Sequence, residues 1–259
     1  MNCAWIDTHA HLFDCSDAAL ETLIAESASK GVNLIINTSV SVDTAQTVLR
    51  QCKRFPQHLR AAVGISPFDV ITQDETWADK IEVMLSDPLT VAIGEIGLDC
   101  ANPRYPPLEL QMPVFIKQLQ LAAQTGVTAI VHSRGMEKRT AEICRETGVS
   151  KAVFHCFTGD REAAEYILEC GYYISISGII TYKNSHLANL IPFIPIDRLL
   201  IETDSPYLAP SPHRGKVNCP AFLIHTATEI AKLLRISERE LSAALIKNIF
   251  KIIKVGIPL

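Results

Sequence analysis

The sequence contains no C-x-x-C pair, no long apolar segment and no block of like charge. Its eight cysteines are spread over the chain at positions 3, 15, 52, 100, 144, 156, 170 and 219. This spacing fits neither a disulfide framework nor a zinc ribbon, so we expect reduced thiols. The longest uncharged apolar stretch, 171–182, is too short to cross a bilayer, and no secretory leader pattern opens the chain. These absences predict a soluble, cytoplasmic protein without a membrane partner or an obligate protein partner.

The composition is that of an ordinary globular protein. Of 259 residues, 48% are hydrophobic and 20% are charged, which is enough to bury a substantial core. The formal net charge of -4 argues against a generally basic coat for nucleic acid, although it allows a local basic patch.

Eight apolar runs alternate along the chain with segments of helical periodicity. After a strand that contains residues 5–11, strands are predicted at 34–38, 61–67, 91–97, 128–133, 152–157, 172–178 and 199–204. Helices are predicted at 17–29, 42–52, 76–85, 108–125, 138–146 and 161–170, with one long helical tail over 220–254. Strict alternation indicates a parallel sheet. Eight units in a chain of this length predict a single-domain α/β protein, a (β/α)8 TIM barrel over residues 1–259. An open doubly wound sheet is the alternative, which lacks support because no G-x-G-x-x-G follows the first strand.

The segment DTHAH at 7–11 is the first candidate for chemistry. On an extended strand Asp7, His9 and His11 share one face. Two imidazoles beside a carboxylate suit a divalent metal, and Asp7 is placed to orient one of the rings. Taken alone, the pair also fits two surface or hydrogen-bonded histidines.

Later strands end in further potential ligands. Ligands in a barrel belong at the carboxyl ends of strands, where a buried acid or histidine is costly unless it is paired or bound to metal. The predicted metal ligands are His9, His11, Glu95, His132, His155 and Asp204. Six exceed the need of one tetrahedral ion and suit two ions bridged by Glu95. A hydroxide held between the ions would attack the substrate, and Asp204 would both ligate and accept the proton of the attacking water. The ligand set tolerates Mg, Mn, Zn, Ni or Co.

The order of these motifs resembles that of the TatD family of metal-dependent deoxyribonucleases, a group within the amidohydrolase-like barrels. The matching motifs are DTHAH (7–11), GEIGLD (94–99), HSR (132–134), HCFTG (155–159), ISISG (174–178), ETDSPYLAP (202–210) and HRGKVN (213–218). By matching position, the resemblance places one ion among His9, His11, Glu95 and Asp204, and the other among Glu95, His132 and His155. It also implies hydrolysis of phosphodiester bonds in DNA, in several members from the 3′ end of single strands.

The sequence departs from the family pattern in two places. The family usually has G-x-H-P after the third strand, whereas this chain has Ser66 in place of the histidine. That histidine is not among the ligands above, so metal binding should survive. Its absence is expected to remove a contact to the substrate or the leaving group, and with it to change the rate and the substrate range. The segment 135–139 also departs from the usual pattern.

Three cations are candidates for binding substrate phosphates. Arg214 and Lys216 follow the last strand, where barrels often bind phosphate, and Arg134 adjoins a proposed ligand. A solvated charged loop is the alternative interpretation of 213–216.

Other residues near the motifs have weaker assignments. Glu202 is placed to orient a ligand histidine, or to be an internal hydrogen-bonded acid. Asp99 is interpreted as a helix-entry or loop residue rather than a site residue. Cys156 should face away from the site. Three tyrosines, which could stack a base but more often pack in a core, are Tyr172, Tyr173 and Tyr182.

Two other functions fit the same residues. A barrel of this kind can hydrolyse a small ester, lactone or amide, because the same metals serve carbonyl chemistry. A barrel that binds metal or nucleic acid as a scaffold without turnover is the non-enzymatic alternative.

Overall fold

The computed structural model describes residues 3–253, in which eight strands alternate with helices. The strands are β1 (Trp5–Ala10), β2 (Val32–Thr38), β3 (Leu59–Val63), β4 (Thr90–Asp99), β5 (Thr128–Arg134), β6 (Ala152–Phe154), β7 (Tyr173–Ile176) and β8 (Leu199–Ile201). The α-helices are α1 (Asp17–Ser29), α2 (Val42–Arg54), α3 (Trp77–Leu85), α4 (Leu108–Thr125), α5 (Glu137–Glu146), α6 (Arg161–Glu169), α7 (Leu187–Leu190), α8 (Leu223–Leu234) and α9 (Glu238–Ile252). Short 3-10 turns occupy Val70–Thr72, Gly178–Thr181, Ile191–Phe193, Ile196–Arg198 and Pro220–Phe222.

The eight strands form one parallel sheet in sequence order, which confirms the predicted (β/α)8 barrel and its single domain. The sheet closes beyond the end of β8 through a single parallel bridge between Ala10 and Ser205. There the Asp204 amide donates to the carbonyl of His9 at 3.0 Å, and the His11 amide donates to the carbonyl of Ser205 at 2.7 Å. The closing contacts therefore use the same two segments that carry three of the predicted ligands.

The barrel interior is apolar at its amino end. One buried cluster takes at least one side chain from every strand and adds the end of α9: Ile6, Leu34, Ile36, Ala62, Val91, Ala92, Ile130, Val153, Tyr173, Leu200, Ile249, Ile252 and Ile253. Apart from the end of α9, this cluster contains residues of the strands alone, so it lies inside the barrel and not between the strands and the surrounding helices. The Thr128 hydroxyl at the start of β5 donates to the carbonyl of Ile252, so α9 covers this end. A second, larger cluster packs the outer faces of the strands against the helices.

Helix boundaries follow their caps. Ser16, Ser41, Asp160 and Ser237 each accept a hydrogen bond from a backbone amide of the first turn that follows. The prediction of one helical tail over 220–254 is wrong, because Arg235 takes a left-handed conformation (φ +57°) that ends α8 before α9 begins. Lys254 lies outside the described residues.

Four strands, β3, β6, β7 and β8, are at least two residues shorter than predicted. β3, β6 and β8 end at residues 63, 154 and 201, so the polar residues that follow them lie in loops at the carboxyl end of the barrel. All eight cysteines, which lie within the described residues, are free thiols. Within residues 3–253 none of the helices is both long enough and apolar enough to span a bilayer.

Candidate metal centre

The six predicted ligands come together at the carboxyl end of the barrel, and all are at least 90% buried. His9, Glu95 and His132 lie within β1, β4 and β5, whereas His11, His155 and Asp204 follow the ends of their strands. The structure therefore brings together every residue predicted to bind metal.

The Glu95 carboxylate lies between two groups of histidines. Its Oε2 is 3.5 Å from Nε2 of His9 and 3.2 Å from Nε2 of His11. Its Oε1 is 3.0 Å from Nδ1 of His132 and 3.4 Å from Nε2 of His155. Each carboxylate oxygen thus faces its own pair of imidazole nitrogens. An arrangement of this kind allows one carboxylate to bind two cations, one through each oxygen.

Asp204 extends the group around Oε2. Its Oδ1 lies 3.8 Å from Nε2 of His9 and 3.6 Å from Nε2 of His11. Potential donor atoms fall within 4.8 Å of one another in three overlapping sets, namely His9, His11 and Glu95; His9, His155 and Asp204; and Glu95, His132 and His155.

The donor atoms are better placed to bind a divalent metal ion than to form hydrogen bonds with one another. The two Nε2 atoms of His9 and His11 are 3.0 Å apart, so at most one can carry a proton between them. Among residues 3–253, Nε2 of His155 is buried without a hydrogen-bond partner. Buried imidazole nitrogens and carboxylate oxygens that converge in this way are the ligands of Zn²⁺ and related divalent ions.

In three of the imidazoles, the ring nitrogen that points away from the Glu95 carboxylate contacts another side chain or the backbone. Nδ1 of His11 faces the carbonyl of Thr38 at 3.0 Å. Nε2 of His132 faces Oδ2 of Asp99 at 3.0 Å, so Asp99, at the end of β4, orients this ring and the interpretation that placed it outside the site is wrong. Fixing one nitrogen of a ligand imidazole sets its tautomer and leaves the other nitrogen for the metal.

Glu202 holds His155 from below, as one of the two sequence interpretations expects. Its Oε1 lies 3.4 Å from Nδ1 of His155 and accepts a hydrogen bond of 2.7 Å from the Cys156 amide. Burial opposes ionisation of Glu202, but its contact with His155 keeps the pKa below the usual value of 4.5.

Asp7 does not orient an imidazole, contrary to the prediction. Its carboxylate accepts hydrogen bonds from the amide and hydroxyl of Thr203, at 2.9 and 2.5 Å, and from the amide of His9 at 3.3 Å. The β1–β2 register shifts between Asp7 and Ala10, which breaks the simple alternation used to place Asp7 beside the rings. Burial raises the pKa of Asp7 to about 7.

In the metal-free chain, the pKa values of the buried acids and histidines at the centre are shifted in different directions. Burial opposes the charge of Glu95, but His155 and the other histidines hold the Glu95 pKa well below its usual value. Burial would also lower the pKa of His155, yet Glu95 and Glu202 raise it to about 10. Burial together with His155 lowers the pKa of His9 to about 3. Burial raises the pKa of Asp204 to about 6.

A cavity of about 360 Å³ opens above these ligands. Arg134, one of the three predicted phosphate-binding cations, lines it, as does Ser66. Arg214 and Lys216 do not line it. Both are exposed on the loop after β8, and the Arg214 guanidinium lies 4.1 Å from the Tyr182 ring centroid.

Cys156 lines the cavity as well, so the expectation that it faces away is wrong. β6 ends at Phe154, and Cys156 has a left-handed backbone conformation (φ +43°), so strand alternation does not apply to it. Its Sγ lies 3.3 Å from the Ser177 hydroxyl.

The tyrosines considered as base-stacking residues lie elsewhere. Tyr172 and Tyr173 are buried in the core, and the Tyr182 hydroxyl donates to the carbonyl of Ala209. The aromatic residues at the cavity, which sequence reasoning missed, are Phe13, Phe68, Tyr105 and Tyr207. All four lie in loops, where no periodicity marks them. The sequence signal that could have found them is closeness to a motif, as for Phe13, which lies two residues after His11.

Comparison with known families decides the affiliation of the chain. A family model described as TatD related DNase matches residues 6–254. The chain belongs to the TatD family. Two bacterial relatives carry the name of uncharacterized metal-dependent hydrolase. YabD of Bacillus subtilis is 32% identical over 254 residues, covering 96% of this chain and 99% of YabD. YcfH of Escherichia coli K12 is 31% identical over 257 residues, covering 96% of each. The chain is accordingly a TatD-family metal-dependent hydrolase.

Solved TatD structures have the same architecture. The TatD homologue YjjV of Escherichia coli K12 superposes with a TM-score of 0.92 at 28% identity, over 100% of both chains. A TatD-family hydrolase from Entamoeba histolytica superposes with a TM-score of 0.86 at 22% identity, covering 98% of this chain and 99% of that one. The second likeness concerns the fold alone.

This TatD-family chain uses Ser66 where the family pattern has histidine. The Ser66 hydroxyl donates a hydrogen bond of 2.7 Å to Oδ2 of Asp69, and both residues line the cavity. The substitution therefore leaves the six metal-ligand candidates in place and changes the cavity wall beside them.

Proposed function

We propose that this TatD-family hydrolase is a deoxyribonuclease that uses two divalent metal ions to hydrolyse phosphodiester bonds of single-stranded DNA from the 3′ end. The main supporting observation is the Glu95 carboxylate, whose two oxygens each face a separate pair of imidazole nitrogens. The DNA substrate is supported by the family description, TatD related DNase.

Bound divalent ions would supply Lewis acidity and lower the pKa of bound water. The residues of this chain do the rest. Glu95 keeps the two groups of imidazoles at a fixed separation, because β4 holds it in the middle of a buried ten-residue strand. Asp204, whose Oδ1 lies 3.8 Å from Nε2 of His9 and 3.6 Å from Nε2 of His11, would both hold an ion and accept the proton of the attacking water.

Arg134 is the cation placed to hold the phosphate at the site. It lies at the cavity wall, and its Nη2 is 3.5 Å from the carbonyl oxygen of Cys156. A guanidinium can bind two phosphate oxygens at once. Arg214 and Lys216 are exposed outside the cavity and would contact phosphates of the strand that leaves it.

Digestion of an end-labelled single-stranded oligonucleotide tests this function. Metal-stripped protein should be inactive, and resupply of Mg²⁺, Mn²⁺, Zn²⁺, Ni²⁺ or Co²⁺ one at a time should restore stepwise removal of 3′ nucleotides. Glu95→Ala should abolish the restored activity, whereas Glu21→Ala, a matched change on the exposed face of α1, should not. Absence of cleavage with every metal that binds would exclude the deoxyribonuclease.

A second candidate is hydrolysis of a small ester, lactone or amide. One observation favours it: Asp69 places a third carboxylate in the cavity wall, where its charge would repel a polyanionic strand. Burial raises the pKa of Asp69, which lessens this repulsion. Turnover of small esters by protein that leaves the oligonucleotide intact would identify this activity.

A further inference from the structure

Four aromatic side chains stand around the cavity in two groups, one on each side of Glu95. Tyr105 lies against His132, with ring centroids 5.8 Å apart and planes 16° apart, and Phe68 meets Tyr105 edge-on at 5.4 Å. On the other side Phe13 and Tyr207 contact His11, with centroids 5.7 and 6.0 Å apart. We call these pairs the Phe68–Tyr105 group and the Phe13–Tyr207 group.

Each group contacts one imidazole, and the two imidazoles belong to different pairs around Glu95. His132 faces Oε1 of Glu95, whereas His11 faces Oε2. A phosphate held above Glu95 would therefore have one aromatic group on each side. A phosphodiester has a nucleoside on each side of its phosphorus, so the two groups match the two nucleosides that the scissile bond joins.

The outer ring of each group is unusually exposed. Phe68 is 50% exposed and Tyr207 is 57% exposed, although both line the cavity. Large apolar surface left in solvent at the mouth of a cavity is typical of a site that a ligand covers.

Hydrogen bonds order the turn that carries Phe68 before any ligand arrives. Phe68 lies in a turn closed by the Asp69 amide, which donates to the carbonyl of Ser66 at 3.0 Å. The Ser66 hydroxyl and the Asp69 carboxylate add a side-chain bond of 2.7 Å across the same turn. A serine at position 66 thus braces the segment that carries the aromatic ring.

Tyr105 and Tyr207 are held by buried amides. Gln111 donates to the carbonyl of Pro106, which anchors the loop next to Tyr105. Asn218 donates to the carbonyl of Tyr207 at 2.6 Å. Loops that are already ordered lose little conformational entropy when a planar ligand stacks on the rings they carry, which favours binding.

From this geometry we infer that the Phe68–Tyr105 group and the Phe13–Tyr207 group each stack one nucleobase of the dinucleotide unit that contains the scissile bond. This inference rests on the proposed function, because it names how that substrate is recognised. Stacking uses the π-face that every base has, so recognition requires a base without selecting its identity.

Oligonucleotides that lack one base test the inference. We would compare a strand that is intact with strands carrying a stable abasic residue at the 3′-terminal or at the penultimate position. For the wild-type protein, loss of either base should lower kcat/KM roughly ten- to hundredfold, which corresponds to a stacking contribution of about 1–3 kcal/mol per base.

Variants then assign each group to a base. Phe68→Leu and Tyr207→Leu introduce an apolar side chain without a planar face. Each variant should lose the sensitivity of kcat/KM to a missing base at one position of the strand. The position should differ between the two variants. Tyr207→Phe keeps a planar ring, so it should retain the sensitivity to a missing base that Tyr207→Leu loses. Phe250→Leu is the matched control, since Phe250 is 42% exposed on α9 at the opposite end of the barrel. Equal kcat/KM for intact and abasic strands, or loss of sensitivity at the same position in both variants, would overturn the inference.

A binding measurement separates this inference from the proposed function. If the metal-loaded protein cuts no DNA, calorimetry would compare thymidine 5′-phosphate with deoxyribose 5-phosphate. Binding of the nucleotide at least about tenfold tighter, lost in Phe68→Leu or Tyr207→Leu, would support the aromatic site although the nuclease is excluded. Equal affinities would overturn the aromatic site as well.

Discussion

At the scale of the residue, burial decides the protonation of Asp7. Its pKa of about 7 exceeds the usual 3.8, so the folded chain holds this proton more tightly than the unfolded chain. The contribution of Asp7 to stability is therefore fully present below about pH 4 and is lost as the pH rises to about 7. The loss amounts to roughly 4 kcal/mol, at 1.36 kcal/mol for each pKa unit.

Asp7→Asn tests this protonation. An asparagine is neutral at every pH and can accept the amide hydrogen bonds that Thr203 and His9 donate to Asp7. In metal-free protein the unfolding free energy should therefore fall less between pH 4 and pH 8 in the variant than in the wild type. The measurement is urea unfolding at a series of pH values. The same pH dependence in both proteins would show that Asp7 is not protonated in the fold.

At the scale of the element, the cap of α9 supports the closed end of the barrel. The Ser237 hydroxyl accepts the Glu240 amide at 3.2 Å, and Oε2 of Glu240 accepts the Ser237 amide at 2.9 Å. Ile249 and Ile252 of the same helix pack in the barrel interior. The cap thus contributes to covering the amino end, far from the ligands.

Ser237→Ala should lower the unfolding free energy by about 1 kcal/mol, because it removes the acceptor for a first-turn amide. For a domain of this size the melting temperature should fall by roughly 2–4 °C. Ser237→Thr keeps a hydroxyl that can accept from the Glu240 amide and donate to the Glu240 carboxylate, so it should melt close to the wild type, and metal binding should be the same in all three proteins. A melting temperature unchanged by the alanine would show that α9 does not depend on this cap.

At the scale of the whole molecule, most of the barrel could be predicted from periodicity. Alternating strands and helices determine a parallel sheet, and costly buried polar residues at strand ends indicate the metal centre. Residues past the strand ends could not be placed in this way. Cys156 was assigned by alternation to the wrong side, and the break at Arg235 depends on a backbone conformation that side-chain pattern does not encode. Phe68 and Tyr105 approach the centre only through long-range folding of two loops.

The central claim is that Glu95 joins two metal positions in one barrel. The most direct measurement is the number of Mn²⁺ or Zn²⁺ ions bound per chain, determined by equilibrium dialysis of metal-stripped wild-type and Glu95→Ala proteins. Two ions per wild-type chain, with binding at both positions weakened in the folded Glu95→Ala protein, are expected because each Glu95 oxygen faces one pair of imidazoles. A single ion per wild-type chain, or two ions retained at unchanged affinity in Glu95→Ala, would contradict the claim.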